Sequence, residues 1–262
     1  MSGDGPIVTF TTDFGSADGY VGAMKGVVLS LAPNARVVDI AHGIPAQDVA
    51  AGAAALAQAA PLFPPGTIHV AVVDPGVGTL RAGIVVESAG AIFVGPDNGL
   101  LSFAAAPPRR AYRIASGAFR RDPVSPTFHG RDVFAPTAGR LAAGAAPADA
   151  GPPLSGMVEM APAPIRFIDG RAEGVVTHVD TFGNLITSIP SGMVSPDHMV
   201  EVEAGDAKWR PLLGRTFADV APGEMVAYVG SGGHLEIAVR DGSAAGRTGA
   251  RRGSVVRLRS RS

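Results

Sequence analysis

The chain has no cysteine among its 262 residues. Disulfides, zinc–thiolate sites, iron–sulfur clusters and thiol nucleophiles are therefore excluded. Lysine is nearly absent too, with Lys25 and Lys208 standing against twenty arginines. Charged residues make up only 17% of the chain and the formal net charge is -1, so no global field favours nucleic acid or an anionic membrane. Long apolar runs are also missing. The most apolar stretch, Val49 to Phe63, is mostly alanine, is interrupted by Gln58 and Pro61, and is too short to span a bilayer; it reads as a buried helix. No basic segment followed by an apolar one opens the chain, which makes the cytoplasm the expected location. Three common catalytic signatures are absent as well: the G-x-S-x-G elbow, the G-x-x-x-x-G-K-[ST] phosphate loop and the H-E-x-x-H zinc helix.

What is present is an ordinary globular composition, 46% hydrophobic, in a chain long enough for two modest domains. From Ile7 to about Gly144, short apolar runs alternate with helix-like segments, the pattern of an α/β domain whose central sheet is flanked by helices. Strands are expected at Ile7–Thr11, Val37–Ile40, Ile68–Val73, Ile84–Val86 and Ile92–Val94. Asp18 is the expected cap of a helix in which Tyr20, Val21, Met24, Val27, Val28 and Leu31 recur at helical spacing, and Asp48 opens the alanine-rich helix. Asp132 is the expected cap of a third, with Pro136 close behind its start.

Periodicity fades between Ala145 and Pro164, where Pro, Ala and Gly dominate. The expected layout is an N-terminal domain over 1–150, a linker over 151–166 and a C-terminal domain over 167–262. The last of these shows short strands at Gly174–Val179, Leu185–Ile189, Met199–Glu203, Met225–Val229, Leu235–Val239 and Ser254–Arg259, as in a small all-β barrel or sandwich. Six arginines between Arg247 and Arg261 read as a solvated edge strand.

In α/β sheets ligands bind beyond the carboxyl ends of the strands, so polar residues following apolar runs are the first candidates. TTDFG places Asp13 after the opening strand; VVDPGVGTLR places Asp74 after the third, with Arg81 seven residues on; VGPDNG places Asp97 and Asn98 after another. Each is also a good turn sequence. Three acids at three strand ends of one domain would crowd their charges unless a ligand, metal or cation balanced them, which favours a site. TFHGRD adds His129, Arg131 and Asp132. Asp74, Arg81 and His129 would together offer a carboxylate paired with a guanidinium, and an imidazole, around one reacting water. A metal held by Asp13, Asp74, His129 and Asp132 is the alternative that these residue types allow.

These clusters, with D-I-A-H-G-I at Asp39–Ile44 and VDTFGNLITSI in the second half, resemble the S-adenosylmethionine (SAM) hydroxide adenosyltransferases, or SAM hydrolases, relatives of the SAM-dependent fluorinase and chlorinase. The resemblance runs in order from about Ile7 to Leu258. It implies an N-terminal α/β domain, a smaller C-terminal β-barrel, a homotrimer, and active sites between subunits. It also implies roles: Asp74, Arg81 and His129 as the catalytic set and Asp13 on the ribose hydroxyls. Asp18 and Asp180 would lie at the methionine end, Phe182 and Asn184 at the adenine, and Ser231 at the methionine carboxylate. Glu236 and Val239 would be further contacts, Val239 through its backbone to adenine, and Asp97 and Asn98 would line or support the site. The halogenases carry aromatic residues where this chain has Asp74 and His129, a serine at Gly130, and an inserted loop that this chain lacks. At Gly232 some relatives carry a larger side chain that helps hold the methionine carboxylate.

The implied reaction is attack of water on C5′ of SAM, which is substrate and not cofactor, giving adenosine and L-methionine without a metal. The rival readings are a SAM- or adenosine-binding sensor without catalysis and a metal-dependent hydrolase. Neither nucleic acid nor membrane is an expected partner.

Overall fold

The computed structural model describes residues 5–168 and 171–260. The chain divides into two compact units, Met1–Met160 and Ala161–Ser262.

The first unit is built on a seven-stranded sheet: β1 (Ile7–Thr12), β2 (Arg36–Ala41), β3 (Ile68–Val72), β4 (Gly83–Ser88), β5 (Ala91–Pro96), β6 (Arg109–Arg113) and β7 (Pro153–Leu154). The order is β2-β1-β3-β5-β4-β6-β7, with β2, β1, β3 and β5 parallel and the remaining pairings antiparallel. Pro153–Leu154, placed in the linker by composition, pairs with β6 at the sheet edge.

Helices cover both faces, which is why the central strands are nearly continuous runs of Val, Ile and Ala. Alternate residues of β3 divide between the two sides. Ile68, Val70 and Val72 join Val8 and Phe10 of β1 against Met24 and Val28 of α1 (Tyr20–Leu31) and Ala135 and Ala138 of α3 (Ala135–Ala142). Ala71 and Val73 face Ala53 and Leu56 of α2 (Val49–Ala59). At Gly52 a Cβ would lie 2.8 Å from Val73 and 2.9 Å from Leu100, so the bare backbone sets the close approach of α2 to the sheet.

Of the three expected caps, one holds. The Asp48 carboxylate accepts the Ala51 N–H at 3.0 Å and opens α2. Asp18 caps nothing: α1 starts after Gly19 without a side-chain cap bond, and Asp18 stands exposed in the preceding turn. Asp132 is no cap either. It lies fully buried inside a π-helical turn, Gly130–Phe134, that runs directly into α3. Its carboxylate takes the Arg131 Nε and Nη2 donors, each at 2.7 Å, and the Ser125 N–H at 2.9 Å. Arg121 stands 3.5 Å away. Burial opposes ionisation of Asp132, but these donors outweigh it and hold the carboxyl below its usual range.

The second unit carries β8 (Arg166–Ile168), β9 (Arg171–Val179), β10 (Leu185–Pro190), β11 (His198–Ala204), β12 (Ala207–Trp209), β13 (Leu212–Leu213), β14 (Met225–Val229), β15 (His234–Val239) and β16 (Val255–Ser260). They form one curled half-barrel sheet in the order β12-β11-β16-β9-β10-β15-β14-β13, with β8 on β9. The path has two ends: among the described residues no ladder joins β12 to β13. The unit is not all-β, since the short helix α4 (Ala244–Thr248), capped by Ser243, packs Ala244 into the core. The arginine-rich tail is no edge strand, because β16 is paired on both sides, by β11 and β9. Arg257 meets Glu173 and Glu203, and Arg259 meets Glu201. Arg261 lies outside the described residues. Among the described residues no helix is long and apolar enough to cross a membrane.

Candidate active site

Asp74 follows the carboxyl end of β3 and begins the D-P-G-V-G-T loop, which returns the chain to β4 through Arg81. The loop is closed by its own backbone, with the Val77 N–H on the Asp74 carbonyl at 3.2 Å and the Thr79 N–H on that of Gly76 at 3.1 Å. Gly78 has φ +79, and a Cβ there would fall 2.7 Å from the Pro126 carbonyl oxygen. Glycine is required on both counts, and it seats the loop against the segment leading to His129.

Three side chains separated by up to 55 positions meet there. The Arg81 guanidinium forks onto Asp74, with Nε donating to Oδ1 at 2.8 Å and Nη2 donating to Oδ2. The second Nη2 proton goes to His129 Nδ1 at 2.8 Å. Arg81 lies over the Phe134 ring, 5.3 Å from its centroid, and its side chain is only 11% exposed against 5% for Asp74. Because Nδ1 accepts a guanidinium proton, the neutral His129 ring carries its own proton on Nε2. Burial, followed by the Arg81 charge, lowers the His129 pKa from its ordinary 6.5 against the pull of Asp74 and Asp132.

Asn98 supports this centre from below. Its Nδ2 donates to the carbonyl of Val73, the residue before Asp74, at 2.9 Å, while its Oδ1 accepts the Leu100 N–H at 3.1 Å. Asp97 points its carboxylate at the Val158 N–H, 2.7 Å away. At the neighbouring strand end, Asp13 accepts the Gln47 N–H at 2.8 Å. Phe14, Tyr20 and Phe128 pack edge to face beside it, their centroids 5.2 to 6.1 Å apart.

The remaining predicted residues belong to the second unit. Asp180 organises the T-F-G-N turn: Oδ1 accepts the Phe182 and Asn184 N–H groups at 2.9 and 2.8 Å, and Oδ2 accepts Asn184 Nδ2 at 2.9 Å. This turn leaves the Phe182 ring 76% exposed while Asn184 is buried. Glu236 accepts the Tyr228 hydroxyl at 3.1 Å, and burial raises its carboxyl pKa. It lies so close beneath Gly230 that a Cβ there would be 1.9 Å from Oε1. Ser231 and Gly232 are exposed in the turn that follows, and Val239 ends β15 with its carbonyl on the Gly242 N–H at 3.1 Å.

Of the four residues in the metal alternative, two carboxylates are already balanced by arginine: Arg81 pairs with both oxygens of Asp74, and Arg131 and Arg121 attend Asp132. Among the described residues no group of three or more His, Cys, Asp or Glu could hold a metal ion.

Two family models, the SAM hydroxide adenosyltransferase N-terminal and C-terminal domains, match residues 8–151 and 174–257. The chain belongs to the SAM hydroxide adenosyltransferase family. It is 43% identical over 262 aligned positions to the (R)-S-adenosyl-L-methionine hydrolase of Salinispora tropica, covering 97% of each chain. To the (R)-S-adenosyl-L-methionine hydrolase of Thermus thermophilus it is 42% identical over 260, covering 96% of this chain and 98% of the relative. A crystal structure of an uncharacterized conserved protein from Thermotoga maritima matches with a TM-score of 0.88 at 33% identity, over 96% of this chain and 99% of that one.

For a member of the SAM hydroxide adenosyltransferase family, the surroundings of Gly130 matter. A Cβ there would lie 3.0 Å from Met24 Sδ, 3.2 Å from Phe14 and 3.3 Å from Phe128, so the aromatic cluster closes over bare backbone. Three supporting residues were missed in the sequence. Phe134 under Arg81 and Tyr228 on Glu236 look like core positions in an apolar pattern, and neither leaves a signal in one sequence. His42 does leave one, since it falls in the quoted D-I-A-H-G-I motif.

Proposed function

We propose that the protein hydrolyses (R)-S-adenosyl-L-methionine to adenosine and L-methionine at the Asp74–Arg81–His129 centre. The R configuration at sulfur is the one named for the relatives and refines the expectation of SAM alone. The observation that carries the proposal is the shared guanidinium, which fixes a carboxylate and a neutral imidazole around one point.

Water attacks C5′ in line with the C5′–S bond. The O–C5′ bond forms as C5′–S breaks, the bonding pair stays on sulfur, and the sulfonium leaves as the neutral thioether of methionine. The water proton passes to a free lone pair of the Asp74 carboxylate and from there to solvent. His129 has its proton on Nε2 and Nδ1 engaged by Arg81, so it orients the water by donating to its oxygen, and Asp74 takes the proton. Opposite charges merge in the transition state, which a site with little water favours. No step needs a metal.

Asp13, at the end of β1, accepts the ribose hydroxyls. Asp18 and Asp180 serve the methionine end, Phe182 stacks on adenine with Asn184 beside it, and Ser231 holds the methionine carboxylate. Glu236 and the Val239 backbone complete the set, while Asp97 and Asn98 support it from outside. The second domain serves as the family's barrel, and the working form is a cytoplasmic homotrimer.

The test is incubation with each sulfur epimer of SAM, with and without fluoride, chloride or EDTA, followed by chromatography. Adenosine and methionine should form from the R epimer, chelator should not stop the reaction, and no halogenated nucleoside should appear. Asp74→Ala should lower turnover by roughly 10²-fold or more while SAM still binds. Unchanged turnover in that variant contradicts the proposal.

A further inference from the structure

The D-I-A-H-G-I stretch has no part in the chemistry above, yet its histidine has a polar neighbour at each ring nitrogen and at its carbonyl. His42 follows β2, where the β1–β2 register shifts between Phe10 and Thr11. Its Nδ1 lies 2.8 Å from Thr12 Oγ1, its carbonyl accepts the Gly15 N–H at 2.8 Å, and its Nε2 stands 3.0 Å from Asp39 Oδ1. Lys25 of α1 donates to the other Asp39 oxygen at 2.6 Å. Burial disfavours ionisation of Asp39, but the Lys25 ammonium and the His42 ring outweigh it and leave the carboxyl below its ordinary value.

The partners assign the protons. A carboxylate facing Nε2 calls for N–H there, so Nδ1 accepts the Thr12 hydroxyl proton. The Thr12 oxygen in turn accepts the Phe14 N–H at 3.2 Å. Asp13 lies between these points. Thr12 and Phe14, its two chain neighbours, are joined through the Thr12 hydroxyl that His42 holds, and Gly15 is tied to His42 directly. Its own carboxylate is bonded to Gln47 N–H in the loop that His42 begins. Gln47 adopts φ +65, a left-handed conformation that a non-glycine residue holds only when its surroundings impose it.

We propose that His42 is a positioning residue that holds the Asp13 carboxylate in the geometry needed to take the two ribose hydroxyls of the nucleoside. The proposal rests on the reading of Asp13 given above. His42 touches no substrate; it acts by stitching the end of β1 to the loop after β2.

The experiment compares the affinities of adenosine and 2′,3′-dideoxyadenosine, by calorimetry, for the full-length protein and its variants. Wild type should bind adenosine ~10-fold or more tightly than the dideoxy compound, the scale of hydrogen bonds to a charged group. In His42→Ala that ratio should collapse to below ~3, with dideoxyadenosine affinity within about twofold of wild type, because only the hydroxyl contacts are lost. His42→Asn, which keeps an acceptor near the Nδ1 position, should recover most of the ratio. If His42→Ala does not fold, Asp39→Asn at the exposed end of the relay must lower the ratio in the same direction. An unchanged ratio overturns the proposal, as does an equal loss for both nucleosides. Wild-type protein that releases adenosine from SAM yet shows no preference between the nucleosides contradicts the Asp13 reading alone, whereas wild type that neither binds nor releases adenosine contradicts the proposed function itself.

Discussion

Arg81 and His129 share a proton whose direction decides their chemistry: Nη2 of the guanidinium donates to Nδ1 of the imidazole at 2.8 Å. The imidazole therefore cannot take a proton at Nδ1 without losing this bond, and the neutral Nε2–H form is the one the site selects.

Replacing Arg81 by lysine tests the fork. An ammonium cannot serve both Asp74 oxygens and His129 in one plane. Arg81→Lys should lower kcat by roughly 10²-fold while KM for SAM changes by less than about threefold, because the loss is of alignment at the reacting water. Steady-state kinetics read this, and a change confined to KM would argue against it.

The acid limb of activity should belong to His129. Its pKa is lowered from 6.5, so the neutral form persists below that pH and activity should hold through neutrality. Protonation at Nδ1 would set N–H against the Arg81 donor, so kcat/KM should fall only at a pH below 6.5. A kcat/KM profile of His129→Gln should lack that limb; retention of the same limb would assign it elsewhere.

Stability should carry a separate pH signature from His69. The ring is fully buried, stacked on Phe93 at 5.1 Å and bonded through Nδ1 to Thr9 Oγ1 at 2.8 Å; burial lowers its pKa to about 4. The unfolded histidine binds a proton near 6.5, so the folded state is at no disadvantage above that pH and loses stability as pH falls from 6.5 towards 4. The full loss is roughly 3 kcal/mol. Urea unfolding at pH 7 and 4.5 should show a smaller drop for His69→Phe than for wild type. Equal drops would remove His69 as the cause.

Much of this architecture is legible in the residues, for reasons that differ between elements. β1 and β3 are apolar because both sheet faces are covered, and their observed ends lie within about one residue of those expected; α2 starts where Asp48 predicts but stops at Ala59, short of Phe63, because Pro61 follows. β6 escaped because its sequence, RRAYR, is edge-like and charged, paying Arg110 to Glu87 and burying only Ala111. Asp132 misled because an acid before an alanine-proline helix has the look of a cap, whereas two arginines and a π-turn made it a buried anchor. The strand-end acids stand out in the sequence, but spacing carries no distance: in the fold Asp74 pairs with Arg81 while Asp13 accepts the Gln47 N–H and Asp97 that of Val158. That Arg81 reaches back to Asp74 and across to His129, beside a loop whose Gly78 leaves no room for a Cβ against the Pro126 carbonyl, is displayed only by the folded chain.

The origin of the new oxygen tests the central claim most directly. Hydrolysis of (R)-S-adenosyl-L-methionine in water enriched in oxygen-18, read by mass spectrometry, should place one labelled oxygen on C5′ of adenosine and none in methionine. Adenosine released without the label, or no adenosine at all, would contradict attack of water on C5′.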